Sequence, residues 1–236
     1  MKLKESLNKV PMHVGLILDG NRRFARRLML KPFKGHEWGA KKVEKLVNWC
    51  KDLGIKELTL YALSLENFDR PKKEFNYLMN LFRKEFNDFK NNPKIKEIKV
   101  NFIGRIWKFP KDIQKLMNDI MNKTKKNKGG IINFAMAYGG RAEVIDAVKK
   151  LAKDIKNNKL SINKINEKTF SKNLYMNDEP DLIIRTGGEH RTSNFLIWQS
   201  HYSEWIFLNV LWPDFTKKHL IKCLNNYANR ERRFGR

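Results

Sequence analysis

The sequence predicts a single α/β domain with a central, mostly parallel six-stranded sheet flanked by helices. Three observations lead there. Short apolar, β-rich runs alternate with longer stretches whose apolar residues recur at helical spacing, the pattern of βαβ units and a parallel sheet. The 236 residues suit one domain that hides roughly 70% of its extended-chain surface. No internal repeat and no proline-rich linker divides residues 1–236.

The elements follow in order. His13–Leu18 (HVGLIL) is the first strand candidate; it stops at Asp19-Gly20-Asn21, before a helical run over Arg23–Leu28. Ala40–Leu53 places Val43, Leu46, Val47 and Cys50 on one helical face. Glu57–Leu63 (ELTLYAL) is the second strand and ends at Ser64-Leu65-Glu66-Asn67. Pro71 suits the first turn of a helix, along which Phe75, Leu78, Met79, Phe82, Phe86 and Phe89 repeat at helical spacing. Ile98–Gly104 and Ile131–Ala137 are the third and fourth strands. Arg141–Ile155 reads as a helix with Val144, Ile145, Val148, Leu151 and Ile155 on its apolar side. Asp181–Thr186 (DLIIRT) and Trp205–Leu211 (WIFLNVL) complete the strands, and a last helix runs from about Thr216 to Arg230. Asn157–Tyr175 carries no clear period.

Composition narrows the function classes. Apolar residues make up 41% of the chain, an ordinary globular share. No apolar run approaches the roughly 20 residues of a spanning helix. Met1–Val10 has lysines but no apolar core of a signal peptide, so a cytoplasmic protein is expected. Cys50 and Cys223 stand far apart, which argues against a zinc site or a disulfide framework. The formal charge of +24 favours an anionic partner, whether nucleic acid, acidic lipid or phosphorylated substrate. Lys123–Lys128 and Lys153–Lys159 read first as solvated surface. No nucleic-acid-binding motif is visible, and no nucleic-acid partner is expected.

Ligands of open parallel sheets bind beyond the carboxyl ends of the strands. Polar clusters stand at four such ends: Asp19–Arg23, Ser64–Arg70, Arg185–Ser193 and the loop after Trp212. In Asp19-Gly20-Asn21-Arg22-Arg23, a glycine turn into a helix offers backbone N–H groups to a phosphate, and two arginines add charge-assisted bonds. Asp19 reads two ways. It caps the helix, or it meets a phosphate through a hard cation such as Mg²⁺. The chain has no G-x-x-x-x-G-K-[ST] phosphate loop.

His13–Arg23 resembles the opening signature of the cis-prenyltransferases, the family of undecaprenyl and dehydrodolichyl diphosphate synthases. Further segments match in the family's order. They are Gly35-His36 with Gly39, Tyr61–Phe68 with Arg70-Pro71, and Asn133 with Tyr138–Arg141. Asp181–Glu189, Arg191–Phe195, Glu204, Leu211–Phe215 and Arg230–Gly235 follow. The Asp-Gly-Asn-Arg-Arg form is closer to archaeal and eukaryotic members than to bacterial ones. The all-helical trans-prenyltransferases are excluded by the absence of D-D-x-x-D motifs.

The resemblance implies a homodimer with a hydrophobic tunnel beside the sheet. It implies sequential addition of isopentenyl diphosphate to an allylic diphosphate, farnesyl or geranylgeranyl, giving a long polyprenyl diphosphate. Asp19 and Glu204 would serve Mg²⁺; Asp19, His36 and Asn67 would flank the reacting centre. Gly20, Asn21, Arg22 and Arg23 would hold the allylic diphosphate, Arg70 would help neutralise diphosphate charge, and Ser64, Glu66 and Phe68 would also bind substrate. Arg185, Arg191 and Ser193 would clamp isopentenyl diphosphate. The Phe75–Phe89 stripe reads as core or as tunnel wall, with small Ala62 near the entrance. Arg233–Gly235 would reach across the dimer, and product release would involve a membrane surface. One departure stands out: Pro32, between Lys31 and Lys34, occupies a position that is Arg in many members. A lysine supplies a point charge there, not a guanidinium fork.

Overall fold

The structure is a computed structural model and describes residues 9–91 and 97–231. Six strands form one sheet: β1 (His13–Ile17), β2 (Glu57–Ser64), β3 (Lys99–Ile103), β4 (Ile131–Tyr138), β5 (Leu182–Arg185) and β6 (Glu204–Phe207). Their order is β3-β4-β2-β1-β5-β6, and every pairing is parallel. The expected mostly parallel sheet is parallel throughout. The helices are α1 (Asn21–Arg27), α2 (Gly35–Leu53), α3 (Lys72–Asn91), α4 (Lys111–Thr124), α5 (Gly140–Lys156), α6 (Glu167–Ser171) and α7 (Lys217–Ala228).

Strand order positions the site. After β1 the chain crosses to β2 on one side; after β5 it crosses to β6 on the other. The crevice between the carboxyl ends of β1 and β5 is therefore the topological switch point, where open α/β sheets bind ligands. Register sets Ile17 beside Arg185 and beside Tyr61.

Alternate residues of the strands supply the two faces. Val14, Leu16, Leu58, Leu60, Leu182 and Ile184 pack with Leu46 and Cys50 of α2 and Leu220, Cys223 and Leu224 of α7. Along β3 and β4, Val100, Phe102 and Met136 meet Leu78, Met79 and Phe86 of α3 and Ile113, Met117 and Ile120 of α4. The opposite face carries Ile17, Tyr61, Ala135 and Ile183 against Met176, Phe195 and Leu196. Each fully buried aliphatic or aromatic side chain contributes about 1.5–3 kcal/mol relative to exposure.

Three features depart from the sequence reading. β6 stops at Phe207, because Leu208–Leu211 bends across the sheet end: Gly188 N donates to Leu208 O at 2.9 Å and Gly187 N to Val210 O at 2.7 Å. α4 was not anticipated, although Ile113, Leu116, Met117 and Ile120 have helical spacing. Pro71 lies just before α3; its carbonyl accepts from Glu74 N at 2.8 Å and Phe75 N at 3.1 Å, so it caps the helix from outside. The stretch from Asn157 to Tyr175 contains only the short α6, capped by Asn166.

A long cavity of about 1280 Å³ runs along the sheet between α2 and α3. Val43 and Val47 of α2 form one wall, and Leu78, Phe82, Phe86 and Phe89 of α3 the other. Ala62, Leu63, Ile132, Phe134 and Met136 of the sheet form its base. The Phe75–Phe89 stripe thus has both functions proposed for it: Phe86 is buried in the core, and Phe82, Phe86 and Phe89 also line the cavity. The β2–β4 register slips at Ala62, between the pairs Tyr61–Ala135 and Leu63–Met136. A bulge there bends the strand, and the small side chain keeps the cavity wide near its mouth.

Candidate active site

The cavity opens at the switch crevice, where Asp19, Asn21, His36, Ser64, Glu66, Asn67, Arg185, Ser193 and Asn194 line it. Most of the residues singled out in the sequence meet at this one mouth. Their placement follows from a few local constraints.

β1 ends at Asp19-Gly20. Gly20 has φ 112°, and a Cβ there would lie 2.9 Å from Leu211 Cα, so the turn demands glycine. The sharp turn starts α1 at Asn21 with Gly20, not Asp19, in the cap position, and no side chain caps the helix. The capping role open to Asp19 is therefore not taken. Its backbone is fixed instead: Asp19 O accepts from Trp212 N at 2.9 Å and from Thr186 Oγ1 at 2.8 Å. Its carboxylate, partly exposed at the mouth, accepts from Arg185 Nη2 at 3.0 Å and Arg23 Nη2 at 3.2 Å.

Arg185, at the end of β5, is 3% exposed. Besides Asp19, it donates from Nη1 to Ser193 Oγ at 2.7 Å and to Arg191 O. The loop that supplies these acceptors is held in a costly backbone conformation: Ser193 and Asn194 have φ of 48° and 63°. Asn194 secures it. Gly140 N donates to its carbonyl at 2.7 Å, Arg141 N donates to its Oδ1 at 2.9 Å, and its Nδ2 donates to Glu66 at 3.3 Å. Tyr61 Oη donates to Ser193 O at 3.3 Å while its ring stacks on Phe195.

On the other side of the mouth, α2 begins against α1. A Cβ on Gly35 would lie 1.8 Å from Asn21 O and one on Gly39 2.3 Å from Asn21 Oδ1, so both contacts need glycine. The contact seats His36 in the cavity wall. Burial lowers its pKa to about 4, helped by the charges of Arg70 and Arg22, so its imidazole is neutral at pH 7. Arg70 and Arg22 themselves converge on Glu74, which is 6% exposed: Arg70 Nη1 donates to Oε1 at 2.5 Å and Arg22 Nη2 lies 3.6 Å from Oε2. Glu189 plays the corresponding part opposite, 2.6 Å from Arg191 and 3.7 Å from Arg23.

The five arginines Arg22, Arg23, Arg70, Arg185 and Arg191 thus pair with the three carboxylates Asp19, Glu74 and Glu189. Among the described residues, five buried side-chain polar atoms have no partner, and three of them belong to residues of the cavity wall: Asn21 Oδ1, His36 Nε2 and Arg185 Nε. Buried polar atoms are ordinarily satisfied, so a group of orphans around one mouth marks a place for a polar ligand. The arrangement can hold a phosphorylated head on several guanidinium forks while an apolar tail enters the cavity.

Not every anticipated residue joins it. Phe68 lies beside Phe75 at 5.3 Å and edge-on to Phe109 at 5.5 Å, outside the cavity wall. Ser64 and Asn67 do line the mouth and leave the capping of α3 to Pro71. Glu204 starts β6 beside Leu182, at the opposite end of the parallel sheet from Asp19, and pairs with Arg230. Three strand residues, roughly 10 Å at 3.3 Å each, separate that level from Arg185. One chain cannot bring Glu204 and Asp19 to the same ion. Arg233–Gly235 lies outside the described residues. Glu74, Asn194, Glu189 and Thr186 were not anticipated as site residues. The i,i+4 spacing of Arg70 and Glu74 was the available signal for Glu74.

A switch-point crevice that offers guanidinium groups at the mouth of an apolar tunnel defines a transferase for amphiphilic diphosphates. Comparison with known proteins agrees: residues 17–235 match the Prenyltransf family model, that of undecaprenyl diphosphate synthase. The chain belongs to this family, the cis-prenyltransferases. It is 46% identical over its whole length, and 88% of the relative's, to the tritrans,polycis-undecaprenyl-diphosphate synthase (geranylgeranyl-diphosphate specific) of Methanopyrus kandleri. It is 43% identical to the isoprenyl transferase of Thermus thermophilus, covering 96% of this chain and 89% of that one. Lavandulyl diphosphate synthase from Lavandula x intermedia, solved with dimethylallyl diphosphate, superposes with a TM-score of 0.90 at 33% identity. That match covers 96% of this chain and 99% of the other.

Proposed function

We propose that the protein extends geranylgeranyl diphosphate by successive cis additions of isopentenyl diphosphate to a long, undecaprenyl-like polyprenyl diphosphate, the precursor of a lipid carrier for glycan assembly. The observation that carries this reading is the long, largely apolar cavity of about 1280 Å³ whose mouth holds Asp19 and Arg185. A growing isoprenoid needs apolar length behind a fixed charged head. Farnesyl diphosphate is the alternative primer; geranylgeranyl is favoured because the Methanopyrus relative is named for it.

Mg²⁺ fits the residues present. Asp19 caps nothing and presents a partly exposed carboxylate at the mouth. Among the described residues no group of three or more His, Cys, Asp or Glu could cage a metal. Mg²⁺ suits such a place, since it binds through one or two carboxylates plus substrate phosphates. Held by Asp19, it would supply Lewis-acid stabilisation of the departing diphosphate. Gly20, Asn21, Arg22, Arg23 and Arg70 hold the allylic diphosphate. Arg185, Arg191 and Ser193 hold isopentenyl diphosphate. Neutral His36 and Asn67 offer hydrogen bonds beside the reacting carbon without adding charge. Catalysis then rests on positioning and on preorganised charge.

The assembly is a homodimer on this reading, and Glu204 contributes to metal binding only if a second subunit brings it to an Asp19. Exposed Ile197 and Tyr202, in the segment that leads into edge strand β6, suit such an interface. The test is labelled isopentenyl diphosphate with each primer and Mg²⁺, followed by chromatography of the products. Long products from geranylgeranyl diphosphate are expected; no extension of either primer would overturn the proposal.

A further inference from the structure

Away from the mouth, one exposed apolar feature is built against local preference. α1 ends in the tip Leu28-Met29-Leu30, whose residues are 45%, 96% and 40% exposed. Leu30 N donates to Ala25 O at 2.9 Å and Met29 N to Arg26 O at 2.9 Å. These paired bonds form a Schellman turn, which puts its C′ residue in the left-handed region. That residue is Met29, with φ 57°. Glycine or asparagine ordinarily stands there, since a Cβ is disfavoured in this conformation. Met29 recovers none of that cost by packing, because almost all of its surface is in solvent.

A cationic collar surrounds the tip. Arg26 and Arg27 precede it, Lys31 and Lys34 follow it, and all four are exposed. Arg27 is fixed by Asp214 at 2.8 Å and lies 5.0 Å over the Phe24 ring. Trp38, 37% exposed, packs on the same ring at 5.7 Å, and tryptophan is favoured at membrane interfaces. α1 starts at Asn21 in the cavity mouth, so its seven residues put the tip roughly 10 Å away at 1.5 Å per residue.

We infer that Leu28–Leu30 is a membrane-inserting tip: its apolar side chains enter the acyl boundary of an anionic bilayer while Arg26, Arg27, Lys31 and Lys34 meet the headgroups. Cationic side chains around a small apolar wedge match the two components of interfacial binding, apolar burial and attraction to anionic lipid. Charge argues against a second copy of the chain as the occupant, since it would set collar against collar on a protein of net charge +24. Nucleic acid would answer the arginines but leave Leu28 and Met29 without apolar contact. The inference goes beyond the proposed synthase activity. It rests on that reading only for its purpose, which is to hold the mouth against the membrane that receives a polyprenyl product.

The test is co-sedimentation of the full chain with phosphatidylglycerol–phosphatidylcholine vesicles and with phosphatidylcholine alone, together with thermal melting of each variant. The wild type should partition onto the anionic vesicles. Met29→Gly should weaken that partition about tenfold, the loss of one buried apolar side chain. Its melting temperature should hold or rise, because glycine suits the left-handed position. Met29→Asn, polar and tolerant of the same backbone, should behave alike. Arg26→Gln should weaken binding to the anionic vesicles only. Wild-type partition by Met29→Gly and Met29→Asn would overturn the inference, as would a wild type that ignores anionic vesicles. A lowered melting temperature or altered oligomeric state in Met29→Gly would show a structural or protein-contact role instead. Vesicle binding is read without turnover, so a failure here and a failure of the synthase assay are separately visible.

Discussion

Replacing Arg185 by alanine probes the site at its most connected point. The guanidinium is 3% exposed and makes three hydrogen bonds: to Asp19 at 3.0 Å, to Ser193 at 2.7 Å and to the Arg191 carbonyl. Two N–H donors remain, one on Nη2 and the Nε–H, and Nε is buried without a partner. A diphosphate that takes over one or two of these donors gains charge-assisted bonds of about 1.5–3 kcal/mol each. One lost bond corresponds to about 10- to 150-fold in affinity. Arg185→Ala should therefore raise KM for isopentenyl diphosphate by about 10- to 150-fold and KM for the allylic primer far less. Arg185→Lys should fall between the two, since an ammonium keeps the charge but loses the fork. Steady-state kinetics with each substrate varied at saturation of the other measure both effects. Circular dichroism and melting must show the variant folded, because truncation leaves the Arg191 carbonyl unpaired and Asp19 with Arg23 alone. Equal rises in both KM values would mean that the two diphosphate positions are assigned wrongly. An unchanged KM for isopentenyl diphosphate would remove Arg185 from the pocket.

Three further outcomes follow from the same geometry. Asp19→Asn should abolish most turnover at saturating substrate and Mg²⁺ without loss of fold, because the change keeps the shape and removes only the charge; near-normal kcat would refute the metal assignment. His36 is lowered from 6.5 to about 4 by burial, so the unfolded chain binds more protons between those values. Its stabilising contribution is full above pH 6.5 and is lost as pH falls toward 4, up to about 3 kcal/mol at 1.36 kcal/mol per unit. His13 is lowered alike, so His36→Asn should remove about half of this acid sensitivity in melts from pH 7 to pH 4; an unchanged profile would mean that His36 is hydrated in solution. Ala62→Phe should block the cavity just behind the mouth, giving shorter products on chromatography, and wild-type product lengths would show that the chain grows elsewhere.

Much of this was legible in the chain because the relevant signals are local. Strand-to-turn boundaries such as Leu18-Asp19-Gly20 and Ser64-Leu65 show where the carboxyl ends of a parallel sheet lie, and chemistry collects there. The family resemblance then gave Asp19, His36, Asn67, Arg185 and Ser193 their places at the mouth. α4 escaped because its polar positions are mostly lysine and asparagine, like those of the solvated runs beside it. β6 was read too long because Leu208–Leu211 is apolar for a different reason: it covers the sheet end as an irregular segment. The position of Glu204 could not be read at all, since an acidic residue before an apolar run looks the same at either end of a strand. Only the parallel register beside Leu182 sets it on the side away from Asp19.

The two carboxylates that the sequence did not reveal, Glu74 and Glu189, work on other side chains, as Asp19 also does. Glu74 collects Arg22 and Arg70; Glu189 collects Arg23 and Arg191; Asp19 collects Arg23 and Arg185. Without such acceptors, five guanidinium groups at one mouth would repel one another and swing into solvent. With them, the forks are held in place before substrate arrives, and a diphosphate displaces a carboxylate instead of ordering a free side chain. This exchange limits net affinity, because every new phosphate contact costs an existing ion pair. It also spares the entropy of fixing long side chains, roughly 2 kcal/mol for each arginine. An enzyme that must bind, release and rebind isopentenyl diphosphate at each addition gains more from such preorganisation than from tight binding. The buried carboxylate of Glu74 is thus a positioning residue for Arg22 and Arg70, in the way that Asn194 is for the loop that carries Ser193.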